Sequence, residues 1–517
     1  MKRLILLIVL IFPLTGLAAQ EDFGFGDASD LSSGDSGGFG FGASGGRGSG
    51  SGLFVKVSGE VSAELTGFYN DFNSAEELKK TTLGDVFLGK LNFSAGGSAA
   101  EAVINFNLRP VFDGTSPIEI DEAFVRAFFG PITVEGGLRK ITWGKADSFG
   151  PLDIVNPLDY QDLTQLSDPR SVKIARPMIR AAWALGSFTK LEAVFLPTFA
   201  GHKFASAGRW TPGVFTGAYD LMASAIENKA NVYLGIIYMA HFGETGIAAA
   251  IAERGEYIRN EMNLWASSVN PEDLFPNTKT LKYAQGGLRF TTSLGSNDFG
   301  FQYYFGRFLR PAISITIDNG FLSPKNPANP YDPNTNPVIN TNAISIGDYN
   351  YYHQIAADFA RVAAGFNIRA EAGFNLTKDL KGTDGAVENP AFVWSLGFDR
   401  DLFWGINLNL QGNGRLRLMQ NKLGSNPLAD CEAGSKISST RITAIISKKF
   451  IRDELELKVS GLWGIEDRDF LIMPSVTWSR NDVSVGASAG FFGGDKNGEL
   501  GQYKKNSYIR IFLSYEF

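Results

Sequence analysis

Apolar residues stand at every second position along most of this chain, and the alternation runs too far in each segment for a water-facing sheet. It is plainest in the last residues, NSYIRIFLSYEF, where Ile509, Ile511, Leu513, Tyr515 and Phe517 alternate with Tyr508, Arg510, Ser514 and Glu516. The same period sets Val55, Val57, Val61, Ala63 and Leu65 against Lys56, Ser58, Glu60, Ser62 and Glu64. It also sets Ile368, Ala370 and Phe374 against Arg369, Glu371 and Asn375, and Ile406, Leu408 and Leu410 against Asn407, Asn409 and Gln411. A period of two is a strand with one apolar and one polar face. Many of these segments run about 10 to 14 residues, long enough to cross a bilayer at a tilt, whereas sandwich strands are nearer 5 or 6.

The connections alternate in length. Tight turns fall near Gly96, Gly130, Gly186, Gly243, Gly295, Ala363, Asp401, Arg452 and Asn481. Between them lie longer links at 71–81, 112–117, 144–173, 198–226, 255–279, 307–346, 377–389, 419–436 and 494–503, with one short link near Asp467. Short periplasmic turns and long extracellular loops are the asymmetry of an outer-membrane barrel. The expected fold is therefore all-β: a closed antiparallel transmembrane β-barrel over residues 53–517, of about 18–20 strands with a best count of 20. Hydrocarbon leaves no backbone group to water, so the sheet must close, and 504–517 is expected to pair with 53–69.

The amino end reads as an export signal. Lys2 and Arg3 precede the apolar run Leu4 to Leu14, and Gly16 and Ala18 are small, so residues 1–18 form a signal peptide that sends the chain out of the cytoplasm. Residues 19–52 are mostly Gly, Ser and Asp and read as a disordered linker. Its two FGFG units are either low complexity or a docking motif. Cys431 is the only cysteine, which excludes an internal disulfide. Mean hydropathy is −0.05, yet 59 Gly, 41 Phe and 16 Tyr suit a barrel whose outward apolar residues are diluted by inward polar ones. Nothing in the charge pattern suggests nucleic acid.

The stretch from Glu122 to Tyr160, EAFVRAFFGPITVEGGLRKITWGKADSFGPLDIVNPLDY, carries a hairpin, then Arg139, Trp143 and Gly144, then Asp153 and the run Asn156, Pro157 and Asp159. It resembles a segment of porin-like outer-membrane proteins of diderm bacteria, families of barrels or channels usually without a known substrate. The terminal Tyr515 and Phe517 also resemble the signal read by the barrel assembly machinery, which that resemblance implies as a partner together with outer-membrane lipid.

Parity assigns the pore. With Val125, Ala127, Val134, Leu138, Ile179 and Trp183 outward, Glu122, Arg126, Glu135, Arg139, Arg176 and Arg180 face the lumen. The loop 144–173 brings Asp147, Asp153, Asp159, Asp162 and Asp168; folded inward, it would narrow the pore, and otherwise it is a surface loop. Opposed acidic and basic rows would set a transverse field; the alternative is that these charges pair internally.

The expected function is passive or weakly selective diffusion of small hydrophilic solutes, in a bacterial outer-membrane protein compatible with a homo-oligomer. The alternatives are a facilitated transporter of hydrophobic compounds and a surface adhesin using long loops. No cofactor is implied. His202, His241 and His353 are too scattered for a zinc set or a Ser-His dyad, so neither a metal nor an enzyme is expected.

Overall fold

The computed structural model describes residues 53–73, 87–108, 118–167, 169–269, 274–422, 424 and 430–517. The expected signal peptide (1–18) and linker (19–52) lie outside the described residues, as does Asp168.

Eighteen strands make one sheet. They are β1 (Phe54–Phe68), β2 (Phe87–Gly96), β3 (Ala100–Leu108), β4 (Ile118–Phe129), β5 (Ile132–Arg139), β6 (Arg176–Ala184), β7 (Thr189–Leu196), β8 (Gln285–Leu294), β9 (Asn297–Arg307), β10 (Tyr351–Ala363), β11 (Phe366–Thr377), β12 (Ala391–Asp401), β13 (Ile406–Arg417), β14 (Ser438–Phe450), β15 (Leu455–Gly464), β16 (Asp469–Arg480), β17 (Val483–Gly494) and β18 (Tyr508–Glu516). Each strand pairs antiparallel with its neighbours in sequence, and β18 returns to β1 in a register running from Glu60 opposite Glu516 to Phe68 opposite Tyr508. The amide and carbonyl of Gly59 bond those of Phe517 at 2.9 Å each way. A Cβ on Gly59 would lie 2.6 Å from the Phe517 ring, so the glycine gives the last side chain its seat.

The wall is inside out. Gln302, Gln354, Asp358, Glu371 and Gln411 are buried toward the lumen, while Phe301, Ile355, Phe374 and Leu396 are exposed on the other face. Sheets that face water do the reverse, so the outer surface is matched to hydrocarbon. Short and long connections alternate around the barrel. The tight turns include Ala364–Gly365 and Asn481, whose φ values of +53°, +78° and +52° suit two-residue hairpins. His353 faces outward and shares a 2.8 Å hydrogen bond with Tyr303.

Eighteen strands is the lower end of the expected range, and the two missing ones have a definite location. The chain on either side of Gly243 is a pair of helices, α1 (Gly213–Ala240) and α2 (Ile247–Ser268). Met222, Ile226, Ala230, Leu234 and Ile237 bury one face of α1, and Ile247, Arg254, Ile258 and Met262 one face of α2. That spacing of three and four is helical, and the segment is rich in Ala and free of Pro. The turn near Gly243 exists, with Gly243 and Gly246 at φ +92° and +85°, but it joins helices. The helices pack on the paired strands Ala312–Ile317 and Ile344–Asp348 of the loop after β9, around Ile315, Phe321 and Ile346. Neither helix is long and apolar enough to cross a membrane.

Candidate functional site

The inward face of β3 to β7 is a lattice of paired charges, and strand register builds it. Glu101 lies directly opposite Arg126, Arg126 opposite Glu135, and Glu135 opposite Arg180. Four strands thus present alternating charges in one row, the cross-strand arrangement in which opposite charges attract. Arg126 reaches Glu135 at 2.6 Å and Glu101 at 3.2 Å. Arg139 and Arg180 each lie 2.9 Å from Glu135, and Arg180 also reaches Glu192 at 2.5 Å. The Arg139 guanidinium stacks 3.9 Å over Phe124. Arg176 points instead at the carbonyls of Thr198 and Ala200, where it fixes the start of the loop after β7.

The loop 140–175 leaves this wall, crosses the lumen and bonds to the far side. Its feet are joined by Asn156, which accepts from the Ile141 amide and donates to the carbonyls of Arg139 and Ile174, each at 2.9 Å. Trp143 anchors the departure: its indole N–H donates to Glu192 at 2.7 Å, and its ring fills space that a Cβ on Gly287 would need. Gly144, at φ +95°, sits against Glu371, and a side chain there would strike that carboxylate. Beyond it the amides of Lys145 and Ala146 donate to Glu371 of β11, and those of Asp147 and Ser148 to Gln411 of β13. Gln302 and Gln354 donate to the carbonyls of Leu152 and Pro151, and Asn413 to that of Phe149. The Asn-Pro and Trp-Gly pairs of the sequence are therefore the joints of this crossing.

The aspartates of the loop divide. Asp147 reaches Arg369 and Asn409 on the far wall; burial pushes its carboxyl up to about 6, against the pull of Arg369 and the Asn409 amide. Asp153 pairs with Lys173 at 2.7 Å. Asp159 and Asp162 accept from the amides two residues on, Gln161 and Thr164, each at 2.9 Å, and so shape the loop itself. Glu122 accepts from Asn105 and from the Lys140 amide beneath one foot of the loop. The arginines face inward as parity requires; Arg126, Arg139 and Arg180 meet glutamates of their own wall, and Arg176 meets backbone carbonyls. Glu101, Glu192, Glu371 and Arg369 complete the arrangement and were not among the expected site residues; each has inward parity, the signal that could have found them.

Against the loop lies a cavity of about 680 Å³, bounded by β1, β7, β8 and β15 to β18. Among the described residues lining it, eight are basic, seven acidic and thirteen Ser or Thr. Near the loop, His202 accepts the Leu158 amide at 2.8 Å through Nδ1. Burial holds this imidazole down to about 3, and Arg310 adds to the shift. Among the described residues no group of three or more His, Cys, Asp or Glu is placed to hold a metal ion.

No protein-family model matches the chain, and no curated protein matches it. Solved structures similar to it include OccAB4 of Acinetobacter baumannii, at 7% identity and a TM-score of 0.45 over 90% of this chain and 98% of that one. A BenF-like porin from Pseudomonas fluorescens Pf-5 aligns at 8% identity and a TM-score of 0.45 over 90% and 98%. OccK3 (OpdO) of Pseudomonas aeruginosa aligns at 7% and 0.44 over 90% and 95%.

Proposed function

We propose that this chain is a bacterial outer-membrane channel through which small hydrophilic solutes diffuse passively or with weak selectivity. The observation that carries the reading is the inside-out wall: a closed sheet of eighteen strands, apolar outside, around a lumen that holds a polar cavity. A barrel of 16 or 18 strands is wide enough for an aqueous channel. In this reading the signal peptide 1–18 directs export, the long loops face outside, and the assembly machinery reads Tyr515 and Phe517. Arg126, Arg139, Arg180, Glu122 and Glu135 brace the wall from which the constricting loop departs, Arg176 holds the loop after β7, and Asp147 and Asp153 line the passage beside Arg369 and Lys173. The charged and hydroxyl lining weighs against passage of hydrophobic compounds.

Single-channel recording from purified protein in planar bilayers tests the reading: discrete conductance steps are expected, and deletion of 145–155 should enlarge them. Folded barrels that never conduct would overturn it. A second reading, adhesion, is favoured by one observation. Val232, Met239 and Phe242 are exposed near the tip of the helical hairpin, and from Val232 to Ala252 the one Asp, Glu, Lys or Arg side chain is Glu244. Removal of the hairpin should then abolish attachment and leave conductance unchanged.

A further inference from the structure

The cavity has two unlike sides. Next to the loop its charges are matched in pairs: Lys173 with Asp153, Arg369 with Asp147, and Lys190 with Glu192 at 3.3 Å. Across from them, β16, β17, β18 and β1 carry hydroxyls in register, beside Glu64 and Arg510, which pair with each other at 3.5 Å. Ser479 lies opposite Ser484, Ser484 opposite Ser514, and Ser514 opposite Ser62. Four strands at about 4.8 Å spacing make this a row about 14 Å long. A parallel row brings Ser475 opposite Ser488.

Between the two rows stands Phe512. It lies opposite Gly486, and its ring reaches over that glycine, 2.6 Å from where a Cβ would be, so the ring occupies the floor of the cavity. A serine hydroxyl both donates and accepts and turns to suit its partner. A charged solute entering here would give up water to meet ions that already have counter-ions, and loses by the exchange. An uncharged polyol trades water for hydroxyls without that loss, and a ring with an apolar C–H face gains contact with Phe512 as well.

We infer that this hydroxyl face is a binding subsite for an uncharged, polyhydroxylated solute of mono- to disaccharide size. The inference rests on the channel reading and names the class of solute that lingers in the passage. The cavity volume is within the range of about 300–1,000 Å³ typical of small-molecule sites.

The test is current recording with maltose or gluconate added to the bath. Maltose is expected to interrupt the current transiently, at a frequency that rises with concentration, and gluconate to do so far less. The triple variant Ser484→Ala, Ser488→Ala, Ser514→Ala should weaken the maltose block at least about tenfold, because three hydrogen-bonding groups are lost, while open-channel conductance stays near the unmodified value. Phe512→Leu, which keeps an apolar side chain, should weaken it independently, and swelling of liposomes carrying the unmodified protein should be faster in maltose than in gluconate. A folded barrel that never conducts would remove the channel reading and this inference with it. A conducting barrel blocked equally by both solutes, or a triple variant blocked as well as the original, would overturn the inference and leave the channel standing.

Discussion

Two rows of four side chains line one lumen with only β2 between them, and they use the same register logic for different ends. Glu101, Arg126, Glu135 and Arg180 alternate in charge and satisfy one another; Ser479, Ser484, Ser514 and Ser62 repeat a single neutral group. The charged row is buried at one end, with Glu135 and Arg180 each 2% exposed, and more open at the other, at Glu101 and Arg126; its buried end stands at the root of the crossing loop. The hydroxyl row is one bond away from being free of partners within itself, Ser479 to Ser484 at 2.8 Å, and it borders open space. In the proposed reading the continuous row of paired charges braces the barrel, and the hydroxyl row is where a solute is met.

The comparison breaks most severely at Glu135. Glu135→Gln removes the carboxylate that Arg126, Arg139 and Arg180 share, and removal of one partner from a buried pair costs about 3–5 kcal/mol. The folded fraction, read from heat-modifiable gel mobility, should fall sharply; a normal yield would mean that the row does not brace the wall. The next effect is the same on both sides, because lipid does not distinguish them. Ile179, behind the charged wall, and Ile511, behind the hydroxyl wall, are each 56% exposed, and Ile179→Arg and Ile511→Arg should each cost about 2–4 kcal/mol near the midplane. If only one of the two lost stability, one outward face would be misassigned.

Acidification should act on the charged side alone and more locally. The His202 pKa is lowered from 6.5 to about 3, so its contribution is present above about pH 6.5 and is lost progressively as the pH falls toward 3. Protonation at Nδ1 removes the acceptor for the Leu158 amide, and in an Asp147→Asn background, which takes out the opposing titration of that raised carboxyl, protease cleavage of the loop 140–175 should accelerate between pH 7 and 5. His202→Gln should flatten that profile, and an unchanged slope would locate the sensitivity elsewhere. The smallest effect is on the hydroxyl row: Ser514→Ala should change stability by no more than about 0.5 kcal/mol, measured by the same mobility assay, and a larger loss would show that the hydroxyls hold the barrel together.

Much of this was legible in the sequence because period two is a local property. The outward and inward sets follow from it, and with the need to close the sheet so does the pairing of the last strand with the first, which runs over 508–517 and 59–68 rather than the whole of 504–517 and 53–69. The partners of the arginines do not follow from it. Parity places Arg126 and Glu135 inward, but the bond between them depends on which residue of β4 stands opposite which residue of β5, and parity leaves register open by steps of two. For the same reason Glu101 and Glu192 went unassigned. The segment 227–254 failed differently: apolar residues occupy several sides of it, so Val232, Leu234 and Ile236 imitate alternation while Ile226, Ala230 and Leu234 carry the helical repeat that the fold uses. Asp159 and Asp162 were read as pore charges because sequence alone does not separate an aspartate that faces a solute from one that caps its own turn.

The helical hairpin and the strands beside it come from loops on either side of β8 and β9, so their shared core encloses a membrane hairpin between two tethers. Ile258 on one tether meets a core that includes Ile315 and Phe321 on the other, and that core can form only after both loops have been threaded to the same side. Once formed, it opposes withdrawal of β8 and β9, since either strand could retreat only by unpacking a domain outside the bilayer. Contacts that form after the rate-limiting step of folding slow escape rather than speed entry. Deletion of the hairpin is therefore expected to shorten the lifetime of this arc of the wall.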